Sequence, residues 1–431
     1  MRDILTTAIF VYFIIQVPKK PYIGLLLMAW LTYMSPHRLG WGFAYNLPFY
    51  QAATIFTLAC TLHHWSTGKL KPTPIGPVTV VLIIFILWTG ITTIAAEYTD
   101  FAWISFKKFL KIQVGIFLTL VLIDNKEKLL KLVAVIALSI GFYGIKGGIF
   151  SIQNAGNYRV WGPSGSFIQG NNELALALLM ILPFIYLIYT QANKPWIKWS
   201  TTIAFLLILA SVLFSYSRGA FLAMATSMCF FWLHTNKKLP LALLFVLFIS
   251  VSIPFIPQAW YERMNTIETY DEDESALGRI NAWQMAFNVA KDRVTGGGYE
   301  QWSRPMFTIY APDPTDVKDA HSIYFEVLGE HGFPGLGLFL LFYFLAWREG
   351  SKAAARAAGH IELEWARTLV YMSKASLVAY ASGGAFLGLA FYDLPYHVVT
   401  IVLITSHLVN QQQRPAQNAS MNTHYHIEKH K

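Results

Sequence analysis

The sequence predicts an all-α polytopic membrane protein with 12 or 13 transmembrane helices, and three observations support this fold class. Only 13% of its 431 residues are Asp, Glu, Lys or Arg, compared with roughly 25% in soluble domains. Hydrophobic residues make up 55% of the chain, and apolar runs of membrane-spanning length recur from Ile4 to Val409. Because backbone groups in lipid must be hydrogen-bonded within their own segment, these runs are predicted to be helices.

The predicted spans follow one another with short polar connections, except for one long connection before residue 322. They are 4–17, 21–35, 47–64, 77–95, 104–123, 129–150, 172–190, 198–214, 219–234, 239–256, 322–347, 367–391 and 394–409. The first run is short and is predicted either to span the membrane or to lie in its interface. The chain has 13 spans if this run crosses the membrane and 12 if it lies in the interface.

The distribution of Lys and Arg among the short connections predicts the orientation. These residues concentrate on alternate connections, which the positive-inside rule assigns to the cytoplasm, so residues 257–321 face the outer side. The predicted organisation is a helix bundle over 1–256, the outer loop over 257–321, C-terminal transmembrane helices over 322–410 and a disordered cytoplasmic tail over 411–431. Within the outer loop, residues 260–266 and 278–290 are predicted to form short amphipathic helices.

Cysteine usage and net charge exclude two classes of function. Cys60 and Cys229 both lie in apolar runs, so neither a disulfide framework nor a thiolate metal site is expected. The net charge of +9 is spread over connections between spans and forms no basic domain. The expected partner of this charge is therefore the membrane lipid and not nucleic acid.

Ionisable residues at the ends of spans are the candidate functional residues, because an unpaired charge at the membrane costs several kcal/mol. Arg218 follows Ser217 at a tight turn between two apolar runs on the outer side. A guanidinium group suits bidentate phosphate binding. An Arg that reaches lipid headgroups or pairs with a carboxylate would produce the same pattern, so both interpretations stay open.

A second candidate is the connection before the span at 172. It contains Arg159 and Trp161 and ends in Asn171 and Asn172, either of which is predicted to cap the following helix. An anion at this helix start would meet unpaired backbone N–H groups and the positive end of the helix dipole. Capping alone would also explain the two asparagines.

Two further candidates lie in and directly after the outer loop. Arg279 precedes a glycine stretch at 296–298 that suggests a flexible hinge, although loop arginines are also common on solvated surfaces. His321 is the last loop residue before a span, where a neutral imidazole can accept a proton near neutral pH or simply cap the helix. Glu326 and Glu330 follow at helical spacing, which is weak evidence for a metal site, and none is predicted.

Taken in order, these motifs resemble the O-antigen ligase family. The chain shows an Arg loop with an Asn-Asn stretch, Ser-x-Ser-Arg-Gly, Gly-Arg-x-x-x-Trp in the outer loop, and His-Ser-x-Tyr followed by Glu-x-Gly, all between residues 159 and 337. Residues 21–25 and 35–44 also look like members grouped with exosortase-associated O-glycosylation ligases. The chain departs from many relatives at Gly170-Asn171-Asn172, where they show an Asn-Pro-Asn stretch.

The resemblance implies a glycosyltransferase of the broad GT-C type in the bacterial inner membrane, working at the periplasmic face without metal or cofactor. It implies an undecaprenyl diphosphate-linked glycan as donor and a lipid A core as acceptor. By position, His321 would be the catalytic base, and Arg218 and Arg279 would bind the diphosphate. The other expected substrate-binding residues are Arg159, Trp161, Asn172 and Tyr324.

Three other functions fit the same residues. A pilin-type protein acceptor would make the chain a protein O-oligosaccharyltransferase, and a growing carrier-linked glycan would make it an O-antigen polymerase. A transporter of the lipid-linked glycan would also need arginines near the diphosphate. Transporters usually carry broken helices near the bilayer midplane, whereas the polar motifs here cluster at one predicted membrane face.

Overall fold

The computed structural model describes residues 1–70, 75–234 and 274–428, with isolated positions between 238 and 260, and the side chains of the last helix through Gln413. Its α-helices are α1 (Arg2–Ile14), α2 (Pro21–Met34), α3 (Phe49–Ser66), α4 (Pro77–Ile94), α5 (Thr99–Leu122), α6 (Lys126–Gln153), α7 (Asn171–Gln191), α8 (Pro195–Leu213), α9 (Arg218–His234), α10 (Glu274–Asp292), α11 (Arg304–Tyr310), α12 (Ile323–Ala357), α13 (Glu364–Gly383) and α14 (Asp393–Glu428). Short 3-10 helices cover Pro36–Leu39, Phe43–Asn46, Ile361–Leu363 and Gly384–Phe386. The described part contains no strand, so the predicted all-α class is confirmed.

Five helices of the described part are long and apolar enough to cross a membrane, namely α4, α6, α7, α8 and α12. The chain is therefore a multi-pass membrane protein. The count of 12 or 13 spans stays a prediction, and the run predicted at 239–256 lies largely outside the described residues.

The short helix α1 packs against α2 and against the 3-10 helices Pro36–Leu39 and Phe43–Asn46. The Asp3 carboxylate accepts hydrogen bonds from the backbone N–H groups of Gly42 and Ala44 at one end of the bundle. At the other end, the His64 imidazole hydrogen-bonds the Pro18 carbonyl oxygen. At a rise of about 1.5 Å per residue, a helix of this length is shorter than the hydrocarbon layer of about 30 Å.

Glycines of α6 allow it to pack closely against α8. A Cβ atom at Gly148 would overlap the Leu207 carbonyl oxygen, and one at Gly144 would come within 2.8 Å of the Ile208 side chain. Small residues let helix backbones approach each other in membranes. This packing takes place within one chain.

Two glycines interrupt the C-terminal helices that the sequence predicted. Within α12, Gly332 has a φ of 69°, which kinks the helix just before Pro334. The run predicted over 367–391 ends as a helix at Gly383, and an irregular turn then leads to α14. Glycine lowers the cost of leaving helical geometry, so an apolar run containing it can end early.

The backbone of the polar tail is helical through Glu428, where the sequence analysis predicted disorder. Its first turn is tied to the end of α12 by two side-chain hydrogen bonds. Arg356 donates to the Asn410 side chain at 2.7 Å, and the Gln413 amide donates to the Arg356 carbonyl oxygen at 2.6 Å. These contacts continue α14 past the predicted end of its apolar run.

The described part of the outer segment folds into α10 and α11 around its own small core, formed by Ala282, Met285, Val289, Met306 and Phe307. The helix predicted at 278–290 corresponds to α10. Of the helix predicted at 260–266, residues 261–266 lie outside the described residues, and α11 was not predicted. This unit is fastened to the membrane helices by an ion pair of 2.7 Å between Arg293 and Glu97. It therefore lies directly on the ends of α4 and α12.

The glycine stretch joins this unit to α12 through the backbone. The N–H groups of Gly297 and Gly298 donate to the carbonyl oxygens of Gly329 and Glu330, both at 2.9 Å. A Cβ at Gly298 would overlap the Ala96 side chain, and the residue has a φ of 82°. The glycines are buried and serve close backbone packing, so the suggestion of a flexible hinge was wrong.

We expect Gly298→Ala to lower the melting temperature of the purified protein more than Gly359→Ala does. Gly359 is a matched control, because its φ is also 82° but a Cβ there would contact nothing within 4 Å. The left-handed backbone costs about 1 to 2 kcal/mol at either site, and the overlap at Gly298 adds roughly 1 to 3 kcal/mol. Equal melting temperatures for the two variants would contradict the close packing.

Candidate active site

His321 lies where the outer segment joins α12, and Trp283 of α10 holds this junction. The indole Nε1 of Trp283 donates a hydrogen bond to the Ala320 carbonyl oxygen at 2.7 Å. Its ring stacks on Phe325, with centroids 4.9 Å apart and planes inclined by 7°. Since Ala320 and Phe325 flank His321, one side chain orders the backbone on both sides of the imidazole.

The backbone of His321 is strained. Its φ is 43°, a left-handed value that residues other than glycine rarely adopt. Tyr216, two residues before Arg218, is strained in the same way with a φ of 58°. Such residues cost roughly 1 to 3 kcal/mol each and cluster at functional sites. Both belong to motifs that the sequence analysis selected for other reasons.

The charges around His321 come from three parts of the chain. Burial lowers the pKa of the imidazole below its ordinary value, and the Arg279 guanidinium lowers it further. The carboxylates of Asp319 and Glu173 raise it by smaller amounts. Arg279 belongs to α10 and Glu173 to the first turn of α7, so charges from both helices act on His321. The lowered pKa favours the neutral imidazole, which can accept a proton at neutral pH.

The start of α7 corrects one prediction about capping. Gly170 is the N-cap residue, and neither Asn171 nor Asn172 caps the helix with its side chain. The Asn171 amide instead donates to the Ser215 carbonyl oxygen at 2.7 Å, while the Glu173 carboxylate folds back over Gly170. Asn172 follows as a half-buried helical residue. Because Gly170 has no side chain, the Glu173 carboxylate fits over the N-cap. The Asn171 amide holds the neighbouring turn instead of capping the helix.

The turn that Asn171 contacts presents Arg218. Ser217 caps α9, because its Oγ accepts a hydrogen bond from the Ala220 N–H at 3.1 Å. Arg218 is therefore the first residue of α9. The exposed Arg159 lies over the Tyr216 ring, 5.9 Å from its centroid, which brings this second candidate arginine to the same turn.

Phe386 links this turn to the His321 junction. A Cβ at Gly219 would lie 3.3 Å from the Phe386 Cβ, and the Phe386 and Trp283 rings are 6.5 Å apart. Tyr324 adds a second tie, since its hydroxyl donates to the Ala381 carbonyl oxygen at 2.8 Å. Arg218 and His321 therefore flank one aromatic junction. Phe386 was not among the residues predicted from the sequence, because an aromatic residue in an apolar run carries no distinguishing signal.

Trp161 is separate from this junction. Its side chain is 61% exposed, and within the described residues no ring or hydrogen-bond contact joins it to His321. The neighbouring Gly162 donates its N–H to the Gln169 carbonyl oxygen at 2.9 Å, which closes the loop on itself. The large exposed ring is available to a ligand or to lipid headgroups.

The acidic residues after His321 hold backbone segments. Glu326 accepts from the Ala390 N–H at 3.1 Å, and Glu330 accepts from the Glu300 N–H at 3.1 Å and from Trp302 Nε1 at 3.2 Å. Among the residues that the structure describes, no three His, Cys, Asp or Glu side chains are grouped to hold a metal ion. Glu326 and Glu330, whose helical spacing resembled that of metal ligands, therefore hold loops against α12.

Two protein-family models match separate parts of the chain. Residues 203–340, which include Arg218, Arg279, His321 and Tyr324, match a family model described as O-antigen ligase. Residues 1–193, which include Arg159, match a model described as a family of unknown function (DUF5935). No curated protein matches the chain. Residues 203–340 therefore resemble the O-antigen ligase family, which confirms the resemblance for the motifs that lie in this region.

Proposed function

We propose that this protein is an O-antigen ligase of the bacterial inner membrane, which transfers a glycan from undecaprenyl diphosphate to a sugar hydroxyl of a lipid A core at the periplasmic face. The observation that carries the proposal is that the Arg279 charge acts on the half-buried imidazole of His321, within the residues that match the O-antigen ligase model. Arg218 lies at the other side of the same aromatic junction. A base beside cations is the arrangement that glycan transfer from a diphosphate needs.

In the proposed reaction, an acceptor hydroxyl attacks the anomeric carbon of the donor sugar. The new bond joins the acceptor oxygen to that carbon, while the bond from the carbon to the diphosphate oxygen breaks. His321 takes the hydroxyl proton, and the neutral imidazole favoured by its lowered pKa suits this task. Attack from the side opposite the leaving group inverts the anomeric centre.

The leaving diphosphate gains negative charge as its bond to the sugar breaks. Arg218 and Arg279 stabilise this charge by paired N–H donors, which match phosphate oxygens in geometry. Arg159, Trp161, Asn172 and Tyr324 would contact other parts of the substrates. For Tyr324 the contact is made by the ring, because its hydroxyl already donates to Ala381.

Reconstituted protein tests both the reaction and the acceptor. The protein in lipid nanodiscs would receive undecaprenyl diphosphate-linked glycan and, in separate reactions, rough lipopolysaccharide, a pilin peptide or further carrier-linked glycan. We expect a mass shift on the lipopolysaccharide. A shift confined to the peptide would identify a protein O-oligosaccharyltransferase, and one confined to carrier-linked glycan a polymerase. Movement of the carrier between leaflets of vesicles without any mass shift would identify a transporter and overturn the proposal.

A further inference from the structure

A cavity with several polar side chains in its lining lies apart from His321, between the end of α2, the loop at 165–168 and the start of α14. It has a volume of about 250 Å³. Its polar lining comes from Ser35, His37, Arg38, Ser166 and Asp393, together with the tyrosines of positions 33, 50 and 392. None of these residues takes part in the contacts that surround His321. The family resemblance assigns them no role.

Three residues on this cavity carry buried polar atoms that lack a hydrogen-bond partner in the described part of the chain. They are the Asp393 Oδ1, the Tyr392 hydroxyl and the His37 Nδ1. Asp393 and Tyr392 are both only 4% exposed. Leaving a buried polar atom unpaired costs about 1 to 3 kcal/mol. Such atoms are rare in folded proteins, and three of them belong to residues that line this one cavity.

The neighbouring groups do not supply those partners. The Tyr33 hydroxyl, which also lines the cavity, is engaged with His397 Nδ1 at 2.8 Å. Arg38 lies against the opposite loop, where a Cβ at Gly165 would overlap its guanidinium. The Arg38 side chain is exposed, so it stands at the rim while Asp393 lies in the wall.

The chemistry of the lining selects a neutral polyhydroxylated ligand. An anion would face the Asp393 carboxylate, and a cation would face the Arg38 guanidinium. Sugar hydroxyls both donate and accept hydrogen bonds, so they suit a carboxylate, a guanidinium and hydroxyl groups at once. The tyrosine rings and Phe167 provide apolar faces for the C–H side of a pyranose ring.

The size of the cavity limits the ligand to about one ring. Sites for drug-sized molecules span roughly 300 to 1,000 Å³, so a volume of about 250 Å³ is small for a longer glycan. The loop at 165–168 leads directly into α7, whose Glu173 acts on His321. A ring in the cavity would thus contact the loop that leads to the candidate active site.

We propose that this cavity binds one neutral sugar ring through Asp393 and Arg38. The further assignment of that ring to a glycan substrate rests on the proposed function. The ring belongs either to the acceptor or to the donor glycan, which share this chemistry. Binding itself does not require that the protein transfer glycans.

Saturation-transfer NMR on nanodisc-embedded protein tests binding, with methyl glucoside, methyl galactoside and N-acetylglucosamine as probes. We expect signals from at least one probe, reduced at least fivefold in Asp393→Asn and in Arg38→Met. Asp100→Asn is the matched control, because Asp100 also lies in the first turn of a helix but is exposed. That variant is expected to keep the full signal, and inorganic phosphate is not expected to displace the sugar.

Several results would overturn the proposal: no signal from any probe, equal signals in wild type and both cavity variants, or displacement of the sugar by phosphate. Arg38→Met keeps the test valid if Asp393→Asn does not fold, because Arg38 is exposed.

The His321→Ala protein must bind the probes like wild type, which separates this proposal from the failure of glycan transfer. Where transfer is measured, a higher KM for one substrate in Arg38→Met identifies the source of the ring, and an unchanged KM for both refutes its assignment to a substrate.

Discussion

Replacing His321 by alanine is expected to lower kcat for glycan transfer by about 10²- to 10⁴-fold, the usual contribution of a positioned acid or base. The reason is that no other group would take the proton from the attacking hydroxyl. Transfer from carrier-linked glycan to rough lipopolysaccharide, followed by mass spectrometry on the reconstituted protein, measures the effect. The His321→Ala variant should still bind the donor, because the arginines are unchanged.

His360→Ala is the matched control for this experiment. His360 is exposed and lies in the connection between α12 and α13, at the end of α12 away from His321. Its removal is expected to leave kcat unchanged. The strained backbone of His321 predicts a second effect, since His321→Gly should unfold at a higher temperature than His321→Ala. Undiminished transfer by His321→Ala would refute the role of His321 as base.

Replacing Arg218 or Arg279 by lysine is expected to lower kcat by about 10²- to 10³-fold, the cost of losing one preorganised donor to a developing anion. Lysine keeps the positive charge but loses the paired donors of the guanidinium plane. Arg304→Lys is the control, because Arg304 is an exposed arginine of the same outer segment. Equal activity in the lysine variants and the control would refute diphosphate binding by paired donors.

The pH profile distinguishes Arg279 from a residue that only supports the fold. Burial and the Arg279 charge lower the pKa of His321, so the active neutral imidazole is lost as the pH falls through that lowered value. Removing the charge in Arg279→Gln raises this pKa, so the acid limb of kcat/KM should move to higher pH. Arg304→Gln should leave the limb where it is. An unmoved limb in Arg279→Gln would contradict the coupling to His321.

Local patterns predicted the helices well because each depends on residues close in sequence. The apolar runs at 77–95 and 172–190 became α4 and α7 with nearly the predicted limits. A helix in lipid satisfies its own backbone, so length and hydropathy are enough to identify it. The helix predicted at 278–290 also appeared, as α10.

Predictions about individual side chains depended on neighbours that are distant in sequence. Asn171 was expected to cap α7, but the Ser215 carbonyl oxygen takes its amide instead. The glycines at 296–298 suggested a hinge, but the ends of α4 and α12 pack against them. In both cases a contact with a part of the chain distant in sequence determined the role of the residue.

By itself the sequence determined a helical membrane protein and the residue types able to bind a diphosphate and move a proton, because apolar runs and charges beside them have direct costs in lipid. Only the tertiary structure decided that the charges of Arg279 and Glu173 act on His321, that Phe386 lies between Gly219 and Trp283, and that Asp393 and Arg38 line one cavity. These residues are far apart along the chain. Their proximity follows from how the helices pack, which no local pattern encodes.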